Sequence, residues 1–123
     1  MPGAGRGRLM DSRRRAWAYC SIDAPEDEDD ILKKQWELLW EYAGQMGFEV
    51  VGSSSDTGRN PLWERSGFRR FVDAAVKGDV DALLVADRRC LTHLSMQMAG
   101  LKALAEGCGL QVYSPLTGPM ELI

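Results

Sequence analysis

One histidine, His93, and three cysteines, Cys20, Cys90 and Cys108, are all that 123 residues offer in classical metal-binding or disulfide chemistry. No Cys-x-x-Cys pair is present, so a Cys/His zinc cluster lacks ligands, and an odd number of thiols makes no disulfide framework. A reduced, cytoplasmic protein without metal or cofactor is the expectation. No apolar run approaches the ~20 residues that span a bilayer, and no apolar signal core follows the first arginines, which excludes a membrane partner and secretion. Gly-x-Gly-x-x-Gly does not follow the first strand and Gly-Lys-Ser/Thr is absent, so the two common phosphate cradles are missing.

What is present describes one ordinary domain. With 45% hydrophobic residues, a chain of this length buries roughly two-thirds of its unfolded surface. Fifteen basic against 18 acidic side chains give a net charge of −3, which argues against nucleic-acid binding by bulk electrostatics alone. The charge is uneven. Arg6, Arg8, Arg13, Arg14 and Arg15 crowd the start, and Asp23, Glu26, Asp27, Glu28, Asp29 and Asp30 follow. Residues 1–14 read as a disordered basic leader, with a nucleic-acid arm as the sharper alternative and Met10 as an alternative start; residues 15–123 read as the folded domain.

Ala16 to Cys20 is short, apolar and aromatic, a buried first strand. From Asp30, apolar residues from Ile31 through Leu39 to Met46 recur at helical spacing and stop at Gly47, and Phe48–Gly52 is a second strand. Ser53–Glu64 reads as a long loop. Phe68 to Val76 forms an amphipathic helix stopped at Gly78, and Ala82–Ala86 is a continuous apolar strand of the kind covered on both faces. Leu94–Glu106 is a third helix closed by Gly107 and Gly109, and Leu110–Tyr113 a further strand. Strand and helix alternating in this way predicts a three-layer α/β fold, a mostly parallel sheet of about four to five strands flanked by helices.

In such sheets ligands sit beyond the carboxyl ends of the strands. Ser21, at the first strand's end, is a candidate nucleophile or a structural serine, and His93 is the one imidazole base. Arg65, Arg69 and Arg70 around the start of the second helix, and Arg88 and Arg89 after the central strand, collect near the same edge, where guanidinium forks suit phosphate. The bland alternative is a solvated helix face. Trp36, Trp40 and Trp63 are candidates for exposed aromatic contact, Trp40 lying roughly 40° round the helix from Trp36. Met96 and Met98, with Leu94, Leu101 and Leu104, form a helix core or a dimer face. Cys20 and Cys90 read as buried small hydrophobes.

The order of elements, with Tyr19, Gln35…Leu38-Leu39-Trp40-Glu41-Tyr42-Ala43, Asp56-Thr57-Gly58, Glu64-Arg65-Ser66-Gly67-Phe68, Gly78-Asp79-Val80-Asp81 and Thr117-Gly118-Pro119-Met120-Glu121-Leu122, resembles the catalytic domain of the serine recombinases, the resolvase/invertase family. The resemblance runs from Ala16 to Ile123. It implies a serine that attacks a DNA phosphate, a phosphoserine link, and arginines that stabilise the transferring phosphate without metal. The family's Tyr-x-Arg-x-Ser-Thr laid on Tyr19 puts Ser21 at the arginine and Asp23 at the nucleophile. A register two residues earlier puts Ser21 at the nucleophile, with Trp17 and Tyr19 at the tyrosine and arginine. The family's Asp-Arg-Leu-Ser-Arg falls on Arg89-Cys90-Leu91-Thr92-His93, while Arg65 and Asp56 match its other arginine and loop aspartate. The chain ends where the family's long helix and helix-turn-helix domain begin.

Three functions follow as expectations. The first is a resolvase-like domain that has lost strand cleavage and serves as a regulatory or interaction module in DNA recombination or mobile-element transactions, with DNA, a second copy or a partner recombinase as partners. The second is an active recombinase with Ser21 as nucleophile and Arg65, Arg88 and Arg89 as phosphate clamps. The third is a flavodoxin-like domain that binds a small anion or nucleotide.

Overall fold

A computed structural model of the protein describes residues 13–23 and 28–122. The leader through Ser12 and the acidic residues at 24–27 lie outside them. The chain runs β1 (Arg15–Ile22), α1 (Glu28–Met46), β2 (Glu49–Thr57), α2 (Ser66–Val76), β3 (Ala82–Leu84), α3 (Ser95–Cys108), β4 (Gln111–Ser114) and β5 (Gly118–Pro119), with 3₁₀ turns at Leu62–Glu64 and Arg88–Cys90. The sheet order is β2-β1-β3-β4-β5, parallel except where β5 returns antiparallel to β4. This is the expected α/β architecture, with the fifth strand a two-residue element.

Strand alternation builds two cores. Trp17, Tyr19, Leu83, Val85 and Val112 face one side of the sheet and pack with Phe68 and Phe71 of α2 and Met98 and Leu101 of α3. Ala16, Ala18, Cys20, Leu84 and Tyr113 face the other and pack with Leu39, Tyr42 and Ala43 of α1. A central strand buried on both faces has no polar phase, which is why β1 and β3 read as continuous apolar runs. The α1 and α3 helices stop at Gly47 (φ 77°) and Gly109 (φ 67°), where the left-handed backbone suits glycine.

Two expectations change. The segment 53–57, expected as loop, continues β2: Ser53 to Thr57 pair residue by residue with Ala18 to Ile22. Its serines and aspartate hide a strand because β2 is the sheet's edge and its side chains alternate between half-buried and exposed. Arg14, expected in the leader, belongs to the folded part. Its guanidinium lies over the Phe48 and Tyr113 rings and donates to the Tyr113 hydroxyl, and its carbonyl accepts from Glu49 N (2.9 Å). Next to it, Arg15 pairs with Asp81 at 3.1 Å and holds that carboxyl below its ordinary range.

The methionines of α3 divide: Met98 is core, while Met96 is 87% exposed. Trp63, expected at the surface, is half-buried edge-on against Phe68 (5.3 Å between centroids), with its indole N–H donating to Gln97 O. Burial pushes the Cys20 thiol up to about 12 and raises Cys90 as well. Because the thiolate is the reactive form, iodoacetamide at neutral pH should modify half-buried Cys108 in the native protein and leave Cys20 and Cys90 intact until denaturant is added. Peptide mapping after labelling checks this; native modification of Cys20 would contradict the burial.

Among the described residues no helix is long and apolar enough to cross a membrane, and no group of three or more His, Cys, Asp or Glu side chains could hold a metal ion.

Candidate phosphate-binding site at the strand ends

The chain passes from β1 outward to β2 and then back to β3 on β1's other side, so the connections diverge at the carboxyl end of β1. A cavity of about 270 Å³ opens there, lined by Ser21, Asp23, Gln35, Gly58, Arg65, Asp87, Arg89 and Cys90. A second, of about 350 Å³, shares Asp23, Arg65 and Arg89 and adds His93.

Alternation in β1 points Tyr19 and Ser21 to the α2 side, where Arg65 immediately precedes the helix. The Arg65 Nη1 donates to Cys90 O at 3.1 Å and lies 3.4 Å from Ser21 Oγ and 3.5 Å from the Tyr19 hydroxyl; its Nε donates to Asn60 O at 2.9 Å. The guanidinium is thus fixed at both ends with one face toward Ser21. Such a fork holds an anion with little ordering cost.

The position of Arg65 depends on a second group. Residue 65 is the N-cap of α2 but gives the helix no side-chain hydrogen bond. The carboxylate of Asp56, on β2, takes that place: it accepts from Gly67 N (2.8 Å) and Phe68 N (2.9 Å), and from the Tyr19 hydroxyl (2.8 Å). A negative charge at a helix N-terminus is favoured by the free N–H groups and the helix dipole. Burial raises the Tyr19 phenol well above its ordinary value; the Arg65 contact opposes this and the Asp56 bond adds to it. Tyr19 therefore stays neutral and donates.

Gln35 supports the floor. Its side-chain amide accepts from Ser21 N (3.0 Å) and donates to Ser21 O (2.9 Å), replacing the strand partner that β3 no longer supplies after Leu84. Cys90 Sγ lies 3.6 Å from the same amide oxygen.

The other candidate residues separate. Asp23 is exposed at the mouth of both cavities, and His93 is exposed in the second. The Arg89 guanidinium lines both cavities but pairs with Asp87 at 3.0 Å. Burial raises the Asp87 carboxyl, yet the Arg89 hydrogen bonds outweigh it and hold the group below its ordinary range. Arg88 turns away and donates to Glu121 O and Leu122 O. Arg69 is exposed on α2 and lines neither cavity. Sequence reasoning did not single out Gln35 or Asp87 as site residues. The signal for Gln35 is a polar residue on the apolar stripe of α1, four before Leu39 and eight before Ala43.

No family model matches the sequence, and no curated protein matches it significantly. Solved structures do. The C-terminal catalytic domain of ISC1926 TnpA, an IS607-like serine recombinase, superposes with a TM-score of 0.73 at 22% identity, over 81% of this chain and 66% of that one. The N-terminal catalytic domain of TP901-1 integrase gives 0.73 at 18%, over 85% and 79%. A resolvase family site-specific recombinase from Streptococcus pneumoniae gives 0.72 at 16%, over 86% and 74%. The chain spans just under two-thirds of the first of these and about three-quarters of the other two. Strand order, helix placement and these superpositions agree that the chain has the fold of a serine-recombinase catalytic domain.

Proposed function

We propose that this domain holds a DNA phosphodiester between Ser21 and Arg65 without cutting it, and acts as a non-cleaving partner in DNA recombination, paired with a second copy or with a cleavage-competent recombinase. The observation that carries the reading is the state of the arginines. Arg65, itself anchored on the Asn60 and Cys90 carbonyls, is the one candidate that also reaches Ser21, whereas Arg88 is turned away to the carbonyls of Glu121 and Leu122 and Arg89 is paired with Asp87. Metal-free phosphoryl transfer works by positioning and charge stabilisation, and each missing donor costs on the order of 10²–10³ in rate. One guanidinium is enough to bind a phosphate and too little to stabilise its transfer.

A second reading, an active enzyme with Ser21 as nucleophile, is favoured by the 3.4 Å approach of Ser21 Oγ to Arg65. A covalent trap decides between them. The protein is incubated with nicked and supercoiled DNA, denatured, and resolved for a protein–DNA band in wild type and Ser21→Ala. The expected result is no band in either, with non-covalent DNA binding weakened about tenfold or more in Arg65→Ala, the loss of one charge-assisted hydrogen bond. A band that disappears in Ser21→Ala overturns the non-cleaving reading, and DNA binding indifferent to Arg65→Ala overturns the phosphate site.

A further inference from the structure

On the opposite face of the sheet a groove of about 490 Å³ runs between α1 and the edge strand β2. Trp36 and Lys33 of α1, Ser53 and Ser55 of β2, and Arg70 of α2 line it, and no carboxylate does. Lys33 and Arg70 have no ion-pair partner among the described residues, although acidic side chains outnumber basic ones in the chain. Arg70 reaches the groove from the far side of the sheet, with its guanidinium 6.0 Å over the Trp17 ring. Trp36 packs on Trp40 with 5.6 Å between ring centroids, and Trp40 remains 58% exposed. Trp36 is half-buried against the α1-side core, but Trp40 stands in water close to two cations that have no ion-pair partner among the described residues, and the Ser21 cavity uses neither indole.

The geometry points to a binding groove for single-stranded nucleic acid, in which a base stacks on Trp36, the indole that lines the groove, and its phosphates lie on Lys33 and Arg70. Aromatic stacking next to a cationic track is the general way such strands are held without sequence preference. The stack requires a base free of its pair, so duplex does not fit. Ser53 and Ser55 offer hydroxyl donors to the same phosphates, and β2 as the outermost strand leaves its other main-chain edge open beside them. The volume is that of an ordinary small-ligand pocket, with room for one base and its phosphate. A protein partner is disfavoured because hydroxyls and cations, rather than apolar side chains, make up most of the lining.

The groove is independent of the Ser21 cavity. It wraps the β2 edge, with Ser53 and Ser55 on the α1 side and Ser54 and Arg70 beside Trp17 on the α2 side, and it shares no lining residue with the Ser21 cavity. The test is fluorescence anisotropy of a labelled short oligothymidylate, with tryptophan quenching as a second signal. Binding is expected at low salt and should weaken about sevenfold between about 50 and about 200 mM salt, as two phosphate contacts on a single strand require. Trp36→Ala should weaken it about tenfold. The charge reversals Lys33→Glu and Arg70→Glu fall at exposed positions and should each remove most of it, Lys33→Glu without touching either core and Arg70→Glu giving up only the contact over Trp17; Arg65→Ala should change it less than twofold. Absence of binding at low salt overturns the proposal, as does equal affinity for duplex, or binding lost in Arg65→Ala and kept in both charge reversals. That last result would place the strand in the Ser21 cavity.

Discussion

Asp56→Ala is expected to lower the unfolding free energy by about 2–4 kcal/mol, a large fraction of what a domain of this size possesses. Three donors converge on that carboxylate: Gly67 N, Phe68 N and the Tyr19 hydroxyl. The first two are helix N-terminal amides with no partner of their own in α2, and loss of a capping side chain alone costs about 1 kcal/mol. The third belongs to a fully buried residue, so its hydroxyl proton is left without an acceptor at about 1–3 kcal/mol. Tyr19→Phe removes one donor and leaves Asp56 two, and should cost about 1 kcal/mol. Asp56→Asn falls between the two, because its NH₂ opposes a donor. Urea unfolding of the three variants checks the ranking. If Asp56→Ala costs no more than Tyr19→Phe, water replaces the carboxylate and the link between β2 and α2 is not structural.

That carboxylate also shows how the site depends on a residue whose role lies in another element. Arg65 is held in place by the start of α2, and the start of α2 is capped from β2. The sequence made Arg65 and Asp56 visible as chemistry-bearing residues on a polar segment, and the resemblance to the recombinases marked both. It did not say that one positions the helix that presents the other, because the contact spans 12 residues and depends on the parallel pairing of β1 with β2. Arginine commitments were equally hidden. Arg88 and Arg89 are adjacent and alike in sequence, yet a 3₁₀ turn sends one to the carbonyls of residues 121 and 122 and the other to Asp87. Local composition does not encode the direction of a guanidinium leaving a tight turn.

The fold was more legible than the site, for a physical reason. Central strands and amphipathic helices carry their burial in their apolar phase, and β1, β3, α1 and α2 were read within a few residues of their ends. What failed was the edge. Five of the nine residues of β2 are serine, threonine or aspartate, and its identity as strand comes from hydrogen bonds to β1 rather than from its side chains. The two-residue β5 carries no pattern at all and exists through its pairing with Tyr113 and Ser114.

The second large effect is steric. In a helix, Gly→Ala is ordinarily stabilising by about 1 kcal/mol, and Gly44 of α1 is such a position: an added Cβ meets nothing within 4 Å, so Gly44→Ala should raise stability by about 0.5–1 kcal/mol. At Gly67 the sign reverses. A Cβ there lies 2.5 Å from Ser55 O and 2.6 Å from Asp56 Oδ2, and the first of these is main chain of a paired strand that has no rotamer to change. The helix must lift away from β2, lengthening both bonds to Asp56 and moving Arg65 with it. We expect Gly67→Ala to destabilise by about 2–3 kcal/mol, the upper range of overpacking, roughly 10 °C or more in Tm for a domain of this size. Because the shift passes to Arg65, the folded variant should also weaken the phosphate binding proposed at Ser21, whereas Gly44→Ala should not. Calorimetry of the pair, each against wild type, reads the sign directly: a stabilised Gly67→Ala would mean that α2 does not sit against β2 as closely as Asp56 requires.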